Sequence, residues 1–363
     1  MKRINWSKFL YEFGVLFLLF SLIVGLTTMP ILAADTKPIK MIIAHHYPAS
    51  LNDNEVQLSL VRFKDLVEKA TNGNIEVEIY PNCVLGTEVE YTKEVQAGGK
   101  TIQSSVLSSG AFSSFYSPYQ VMTCPFLFPD YPTAWAFFDS EFFAKFMDQM
   151  RSKTGLKYLG TFDDGGGFVA FTNSKRLIKT PEDMKDLRIR VEENPAHVAI
   201  IEALGAKAVP LEWSQIETCL ASGVAEGQFN APGLNAAMKF WELVPYSTWS
   251  GHIYNTLTWV INDEWLNNLP ENYQDIILRA SREAVLIAHG NAARLTLLGW
   301  EKCKENFKET YSLSTAEKAE FAKIARPAFR EWYVKEFKGD EKLLDETLNE
   351  VQKIYNSQGL GKK

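Results

Sequence analysis

The sequence lacks the short motifs that mark most catalytic and nucleotide-binding sites. Its 363 residues contain no HExxH, no GxSxG and no glycine-rich phosphate-binding loop. These absences argue against a zinc protease, a serine hydrolase of the α/β type and a P-loop nucleotidase. We therefore expect a protein that is not an enzyme and that needs no cofactor.

Cysteine and histidine, two common ligands of metal ions, are also sparse. Five histidines are present, and the cysteines are scattered without a CxxC pair. His45 and His46 are adjacent after a predicted strand, but neighbouring side chains of an extended segment point in opposite directions. We therefore expect no metal site. The sequence leaves open whether two cysteines form a disulfide or whether all are small buried thiols, the four being Cys83, Cys124, Cys219 and Cys303.

Only the N-terminus contains a long apolar run, over residues 13–26. A positively charged stretch precedes this run, and small residues up to Ala34 follow it. This order is typical of a cleaved secretory signal peptide over residues 1–34, with cleavage after Ala33 or Ala34, and it predicts a periplasmic protein. The alternative is an uncleaved membrane anchor, although the run is short for a membrane span.

The mature chain has a deficit of positive charge. Cleavage after residue 34 removes Lys2, Arg3, Lys8 and Glu12, which leaves 35 basic and 43 acidic residues and a formal charge of −8. An acidic surface argues against binding of nucleic acid or of anionic lipid. We therefore expect no nucleic-acid partner.

What the chain does contain is the alternating pattern of an α/β protein. Residues 39–44 predict a strand, residues 56–67 show apolar side chains at helical spacing, and residues 75–80 alternate until Pro81 stops them. A strand, a helix and a second strand joined by short links are typical of a parallel sheet covered by helices.

A second α/β unit is predicted after residues 163–167, where two acids precede three glycines. Glycine tolerates unusual backbone angles, so this segment is either a hinge or a tight turn. The chain then returns through His252 to Asn262 and ends in long helices, one of them stopped by Pro327. We expect two α/β lobes joined by crossing strands, lobe I being residues 35–166 and 256–297 and lobe II residues 167–255 and 298–363, with C-terminal helices that pack across both.

Residues 187–191 form a short alternating segment. Leu187, Ile189 and Val191 point to one face, and Arg188 and Arg190 point to the other. An arginine at the end of a strand is a fixed fork of donors that suits a carboxylate. The alternative is two ordinary arginines on the wet face of a strand.

Four segments in this order resemble the extracytoplasmic solute receptors of TRAP transporters, of the dicarboxylate- and sialic-acid-binding type. The resemblance covers roughly residues 39 to 350. It implies a two-lobed periplasmic-binding-protein fold. The segments are FKDLVEKATNGNIEVEIYPNCVLGTEVEYTKEVQAGG, CPFLFPDYPTAWAFFDSE, TNSKRLIKTPEDMKDLRIRV and LGAKAVPLEWSQIETCLASGVAEGQFNAP.

The resemblance also implies roles for individual residues. Arg190 matches the arginine that clamps the ligand carboxylate, and Asn230 matches an asparagine that hydrogen-bonds the same group. Trp213 matches an aromatic position that packs on the ligand, His46 a polar position after the first strand, and His252 a histidine of the interlobe crossing segment. Aromatic side chains expected near the cleft are Tyr47, Phe168, Trp213 and Phe229.

Two positions depart from the family pattern. Val169 stands where many dicarboxylate and sialic-acid receptors have a second arginine, which favours a ligand with one carboxylate. Glu217 stands where tyrosine is frequent. If Glu217 faces the cleft, it accepts hydrogen bonds from ligand hydroxyls or an amine, and if it faces water it has no role.

We therefore expect a periplasmic receptor that captures a small organic acid, a monocarboxylate, and delivers it to the membrane permease subunits of a TRAP transporter. We also expect a monomer. Two alternatives remain open at this stage: a ligand-sensing subunit that docks on a membrane sensor protein, and a secreted hydrolase that uses a histidine and a carboxylate. The sequence does not identify the ligand.

Overall fold

A computed structural model describes residues 37–52 and 54–359, and the predicted signal peptide lies outside these residues. One mixed sheet runs through the described chain. Its strands are β1 (Ile39–Ala44), β2 (Ile75–Tyr80), β3 (Ser104–Ser108), β4 (Leu156–Asn173), β5 (Arg188–Val191), β6 (Lys207–Pro210), β7 (Gly227–Asn230), β8 (Tyr246–Asn262) and β9 (Glu309–Ser312).

Helices cover the sheet and continue to the end of the described chain. They are α1 (Glu55–Ala70), α2 (Glu88–Gln96), α3 (Ser109–Ser113), α4 (Tyr131–Phe138), α5 (Glu141–Thr154), α6 (Pro195–Ala203), α7 (Ile216–Ser222), α8 (Pro232–Ala237), α9 (Asp263–Asn267), α10 (Glu271–Asn306), α11 (Thr315–Glu331) and α12 (Glu341–Ser357). A 3₁₀ turn, Trp213–Gln215, leads into α7.

Two long antiparallel strands, β4 and β8, hold the sheet together. The strand order is β2-β1-β3-β8-β4-β7-β5-β6, with β9 also paired to β8. The C-terminal part of β8 pairs with β3, whereas its N-terminal part pairs with β9. β4 pairs with β7 only through its last four residues. We call the β1–β3 side the first half-sheet and the β5–β7 side the second half-sheet; β4 and β8 cross from one to the other.

A bulge interrupts the β4–β8 pairing where the two half-sheets meet, with a register shift between Asp163 and Phe168. Gly165, Gly166 and Gly167 all have positive φ, at 58°, 110° and 77°. A Cβ added to Gly166 would lie 1.7 Å from Oγ1 of Thr296, so backbone angle and space both require glycine there. The segment predicted to be a hinge or a tight turn is thus a bulge inside a continuous strand.

Buried carboxylates surround this bulge, and we call Glu55, Asp163 and Asp164 the bulge cluster. Asp163 accepts hydrogen bonds from the indole of Trp135, the hydroxyl of Tyr254 and Nδ1 of His289. Asp164 accepts from the hydroxyl of Tyr47 at 2.5 Å. Oε1 of Glu55 accepts from the backbone N–H of Gly165 at 2.9 Å. These bonds tie the bulge to α1, α4 and α10.

The predicted helix end at Pro327 is wrong. α11 continues through Pro327 to Glu331, because Phe321, Ala325 and Phe329 hold both sides of the proline in the core. Residues 131–154 form two helices, since the hydroxyl of Ser140 caps a new start at α5.

Two further findings bear on the sequence analysis. All four cysteines are free thiols, and burial raises the pKa of Cys83 and Cys124 to about 12. Within the described ranges, none of the helices combines the length and the apolar character that crossing a membrane requires.

Candidate functional site

A cleft of about 90 Å³ opens where the carboxyl ends of strands from both half-sheets meet. β1 and β3 are parallel neighbours in the first half-sheet, and β5 and β6 are parallel neighbours in the second. Ligands of α/β sheets bind beyond such strand ends. The cleft is lined by Cys83, Thr87, Glu88, Val89, Ser108, Ala111, Ser114, Arg190, Glu192, Glu193, Glu212, Trp213 and Ser214.

Arg190 is the cation of this cleft. Its side chain is 2% exposed, and Nε and Nη2 both donate to the carbonyl of Leu211, at 3.0 and 2.7 Å. These two bonds fix the plane of the guanidinium and leave Nη1 without a protein acceptor among the described residues. Burial lowers the pKa of Arg190, and the carboxylates of Glu192 and Glu88 oppose that effect. A buried guanidinium held by one edge is prepared to bind an incoming carboxylate.

Trp213 is the aromatic residue that lines the cleft on the side of the second half-sheet. It lies in the 3₁₀ turn after β6 and packs edge-on against the ring of His46, with 6.0 Å between the ring centroids. Since His46 follows β1, this contact joins the two half-sheets at the cleft. Glu212 precedes Trp213, and burial followed by the charge of Glu193 raises its pKa.

Glu88 lines the opposite wall and forms an ion pair with His46, which is itself not among the residues that line the cleft. Nδ1 of His46 lies 3.2 Å from Oε1 of Glu88, although it is poorly aligned for a hydrogen bond. Burial is the largest influence and by itself lowers the pKa of His46, but the contact with Glu88 and the charges of Asp164 and Glu192 together outweigh it, so the pKa is raised. Burial likewise raises the pKa of Glu88, yet His46 and the N–H of Ser108 more than offset this, so the pKa is lowered. Both directions favour the charged pair.

Asn230 lies at the end of β7 in a buried network of amides. Its Nδ2 donates to Oε1 of Gln228 at 2.5 Å, and Gln228 donates in turn to Thr172 and Asn235. The backbone carbonyl of Asn230 accepts from Asn235. This network holds β7 against β4, and Asn230 is not among the residues that line the cleft.

Three other predicted site residues lie around the β4–β8 crossing. Val169 is fully buried in the core. Phe168 packs edge-on against Tyr254, with 4.7 Å between ring centroids. His252 stacks on Phe171 at 4.0 Å, and Nδ1 is 2.7 Å from the hydroxyl of Ser250. Burial lowers the pKa of His252 well below its ordinary value, so this ring is neutral.

Glu217 is exposed on α7 and does not line the cleft. The two cations that follow β4 also have other partners. Lys175 forms an ion pair with Glu226 at 3.2 Å, and Arg176 donates to the carbonyls of Asp183 and Lys185. The structure therefore brings Arg190, Trp213 and His46 close together at the cleft. The other predicted site residues are not among those that line it.

Sequence reasoning missed the carboxylates of the cleft, Glu88, Glu192 and Glu212. A signal for Glu192 was present, because it follows Arg190 by two residues and the alternation of β5 puts such residues on one face. Glu88 carried no comparable signal. It enters the cleft because Thr87 caps α2 in a reciprocal box with Glu90 and so places Glu88 in the first turn.

Comparison with known proteins identifies relatives along most of the chain. The family profile described as bacterial extracellular solute-binding protein, family 7, matches residues 46–336. A solute-binding protein of Verminephrobacter eiseniae (strain EF01-2) is 31% identical over 233 residues, which are 64% of this chain and 67% of the relative.

Solved structures with the same fold contain bound organic acids. The sugar acid binding protein DctPAm of Advenella mimigardefordensis strain DPN7T, in complex with galactonate, superposes with a TM-score of 0.81 at 22% identity and covers 88% of this chain and 100% of its own. A TRAP periplasmic solute binding protein of Desulfovibrio salexigens with bound orotic acid gives 0.79 at 25% identity and covers 87% and 99%. These likenesses confirm the predicted two-lobed α/β fold class.

Proposed function

The chain belongs to family 7 of the bacterial extracellular solute-binding proteins, and we propose that Arg190 is the group with which it holds one carboxylate of a small organic acid. Members of this family are extracytoplasmic binding proteins that take small organic acids and work with TRAP membrane permeases. The proposal adds the anchoring residue, the number of carboxylates and the delivery of the captured acid by this chain to its permease.

The single observation that carries the proposal is the state of Arg190. A guanidinium that is 2% exposed and has no carboxylate within ion-pairing distance among the described residues is costly to keep charged. A ligand carboxylate supplies the missing counter-ion in an environment of low dielectric. Closure of the two half-sheets on the ligand then excludes water, and the ligand stabilises the closed form by contacting both walls.

One carboxylate suits the cleft better than two. Arg190 is the only arginine or lysine that lines it in the part of the chain that the structure describes, and the imidazole of His46 is already paired with Glu88. A second ligand carboxylate would lose its water without gaining a partner. The remainder of the ligand would lie against Trp213.

A thermal-shift screen of the purified mature protein tests this proposal. Matched acids such as butanoate and succinate, or pentanoate and glutarate, are compared, and binders are measured by titration calorimetry. A ligand that binds only the folded state raises the melting temperature, so the monocarboxylates should give the larger shifts. Tighter binding of succinate or glutarate than of every monocarboxylate would contradict the single-carboxylate proposal.

We also propose that the chain is exported by a signal peptide that is removed near Ala33 or Ala34. The support is the order of charged, apolar and small residues in residues 1–34. Mass spectrometry of the protein recovered from its native envelope should find a first residue near Ala34 or Asp35. Recovery of a chain that still begins at Met1 would contradict removal.

A further inference from the structure

The walls of the cleft carry more negative charge than a receptor for a simple anion would need. Glu88, Glu192, Glu193 and Glu212 all line it, against the single guanidinium of Arg190. Glu88 is balanced by His46, which lies 3.2 Å away. Three acidic side chains therefore remain against one guanidinium, before any ligand enters.

Glu192 is the carboxylate best placed to meet a ligand. It follows Arg190 by two residues, immediately after the end of β5, and both side chains line the cleft. Its side chain is 17% exposed, and Oε2 is buried without a hydrogen-bond partner among the described residues. The nearest basic group is Nδ1 of His197, at 3.8 Å, but burial lowers the pKa of His197 to about 3 and that ring is neutral.

The carboxylate of Glu192 also reaches the opposite wall. A Cβ added to Gly110, in α3 of the first half-sheet, would lie 2.4 Å from Oε2 of Glu192. The absence of a side chain at Gly110 makes room for this carboxylate where the two walls meet. Burial raises the pKa of Glu192 to about 7, and Arg190 opposes that effect. A cation beside Oε2 would satisfy its free acceptor and its charge together.

We propose that the ligand is a zwitterion, whose carboxylate binds Arg190 and whose cationic nitrogen, an ammonium or a similar group, binds Glu192. This inference rests on the proposed function, because it takes the carboxylate–Arg190 contact as given. Amino acids and related compounds carry both groups a few bonds apart, which matches two protein groups that are two residues apart along the chain and line the same cleft. The ligand then adds no net charge to an acidic cleft.

A polyhydroxylated acid would fit the hydrogen bonds but not the charge. Hydroxyls can donate to Glu192 and Glu212, yet they leave both carboxylates uncompensated, and the ligand brings one more. Like charges in a closed, partly desolvated site repel strongly. The zwitterion is therefore favoured over the hydroxy acid on electrostatic grounds.

The test compares acids that differ only at the cationic group. The probes are leucine against 2-hydroxy-4-methylpentanoate, proline against tetrahydrofuran-2-carboxylate, and gluconate as the polyhydroxylated acid. Titration calorimetry on the mature protein should find the amino acid of each pair at least about tenfold tighter than its partner, since a charge-assisted bond replaces a neutral one. Tighter binding of the hydroxy acids or gluconate would overturn the inference and leave the carboxylate receptor intact.

Substitution of Glu192 links the preference to this residue. Glu192→Gln keeps the shape and removes the charge, so it should weaken the amino acids by about tenfold and the hydroxy acids by less than about threefold. Glu202→Gln, the same change at an exposed position of α6, is the matched control and should alter neither. An unchanged preference in Glu192→Gln would overturn the inference. Failure of every acid in the panel to bind would instead overturn the proposed function itself.

Discussion

The chain buries two groups of carboxylates, and they differ in what surrounds them. The bulge cluster receives donors from the fold itself, since Asp163 and Asp164 accept from tryptophan, tyrosine and histidine side chains. In the cleft, Glu192 has a buried oxygen without a partner among the described residues. The difference shows where the sequence has completed its own hydrogen bonding and where it leaves charge for a molecule that arrives later.

Glu55 shows how the bulge cluster tolerates three acids together. Its Oε2 also has no partner among the described residues, but burial raises its pKa to about 8. At neutral pH this group is mostly protonated, so it adds little negative charge to the cluster. In the cleft, Glu192, whose pKa is raised to about 7, lines the same pocket as the buried guanidinium of Arg190, and such a pair of perturbed groups in a cleft is expected of a binding site.

Substitution of Gly166, which fixes the shape of the bulge at the bulge cluster, should have the largest effect on the free energy of unfolding. Gly166→Ala would impose a side chain at φ 110° and 1.7 Å from Oγ1 of Thr296. Backbone strain and overpacking together should lower the free energy of unfolding by about 4 kcal/mol, measured by urea denaturation.

Gly98→Ala is the matched control for this substitution. Gly98 has φ 118°, but an added Cβ would meet nothing within 4 Å. It isolates the backbone contribution, which should be about 1–2 kcal/mol. Equal losses in the two variants would show that the bulge does not require the space at Gly166.

Arg190 carries the next largest expected effect, on affinity instead of stability. Arg190→Ala should weaken binding of the tightest acid in the panel by about 3 kcal/mol, roughly a hundredfold, because the ligand carboxylate would be buried without a partner. Arg190→Lys should also bind poorly, since an ammonium cannot hold the Leu211 carbonyl and a carboxylate with the same planar fork. Calorimetry measures both.

Arg188→Ala is the control on the same strand. Arg188 is exposed and donates to the carbonyls of Val224 and Gly223. Its removal should change affinity by less than about twofold. If Arg190→Ala bound as tightly as Arg188→Ala, Arg190 would not be the carboxylate anchor.

Glu55 predicts a pH dependence that belongs to the bulge cluster alone. Its pKa is about 8 in the folded protein and 4.5 for the unperturbed group. A carboxyl group whose pKa is raised by folding stabilises the protein fully at pH values below its pKa in the unfolded chain. This stabilisation declines above that pKa and is lost as the pH rises through the pKa in the folded protein. Between pH 6 and 8 the wild type should therefore lose about 2 kcal/mol of unfolding free energy relative to Glu55→Gln.

The glutamine variant is its own control, because its amide oxygen can still accept from the N–H of Gly165. Denaturation curves are recorded for both proteins at each pH. Asp163 and Asp164 are present in both proteins, so the difference between the two profiles reports on residue 55. Parallel pH profiles would show that Glu55 does not titrate as its burial implies.

The sequence predicted those parts of the fold that one local pattern determines. β1 and β2 have the predicted bounds because their alternation is regular, and the predicted family is confirmed. β6 and β9 were missed, since their sequences, KAVP and ETYS, do not alternate between apolar and polar side chains as β5 does. The path of α11 through Pro327 depends on tertiary packing, which a rule about proline in a single helix does not include.

The site was predictable to a similar degree. Arg190 and Trp213 line the cleft, and both were recognised from sequence. The side of the sheet to which Phe168 and Val169 point was not predictable from the sequence. Register shifts on both sides of Phe168 break the alternation of side chains between the two faces of the strand. The roles of Asn230, His252 and Glu217 remain predictions that binding measurements must test.

The smallest expected effect on affinity comes from Glu217, an acid on the surface that can be compared with Glu192 in the cleft. It is exposed on the first turn of α7 and outside the residues that line the cleft. Water screens its charge, so Glu217→Gln should change the affinity for any acid of the panel by less than about twofold, whereas Glu192→Gln should exceed that several-fold for amino acids. Calorimetry on the two variants at one ionic strength decides the matter. A loss of affinity in Glu217→Gln as large as in Glu192→Gln would mean that α7 turns Glu217 towards the ligand on closure, and the contrast between cleft and surface acids would then fail.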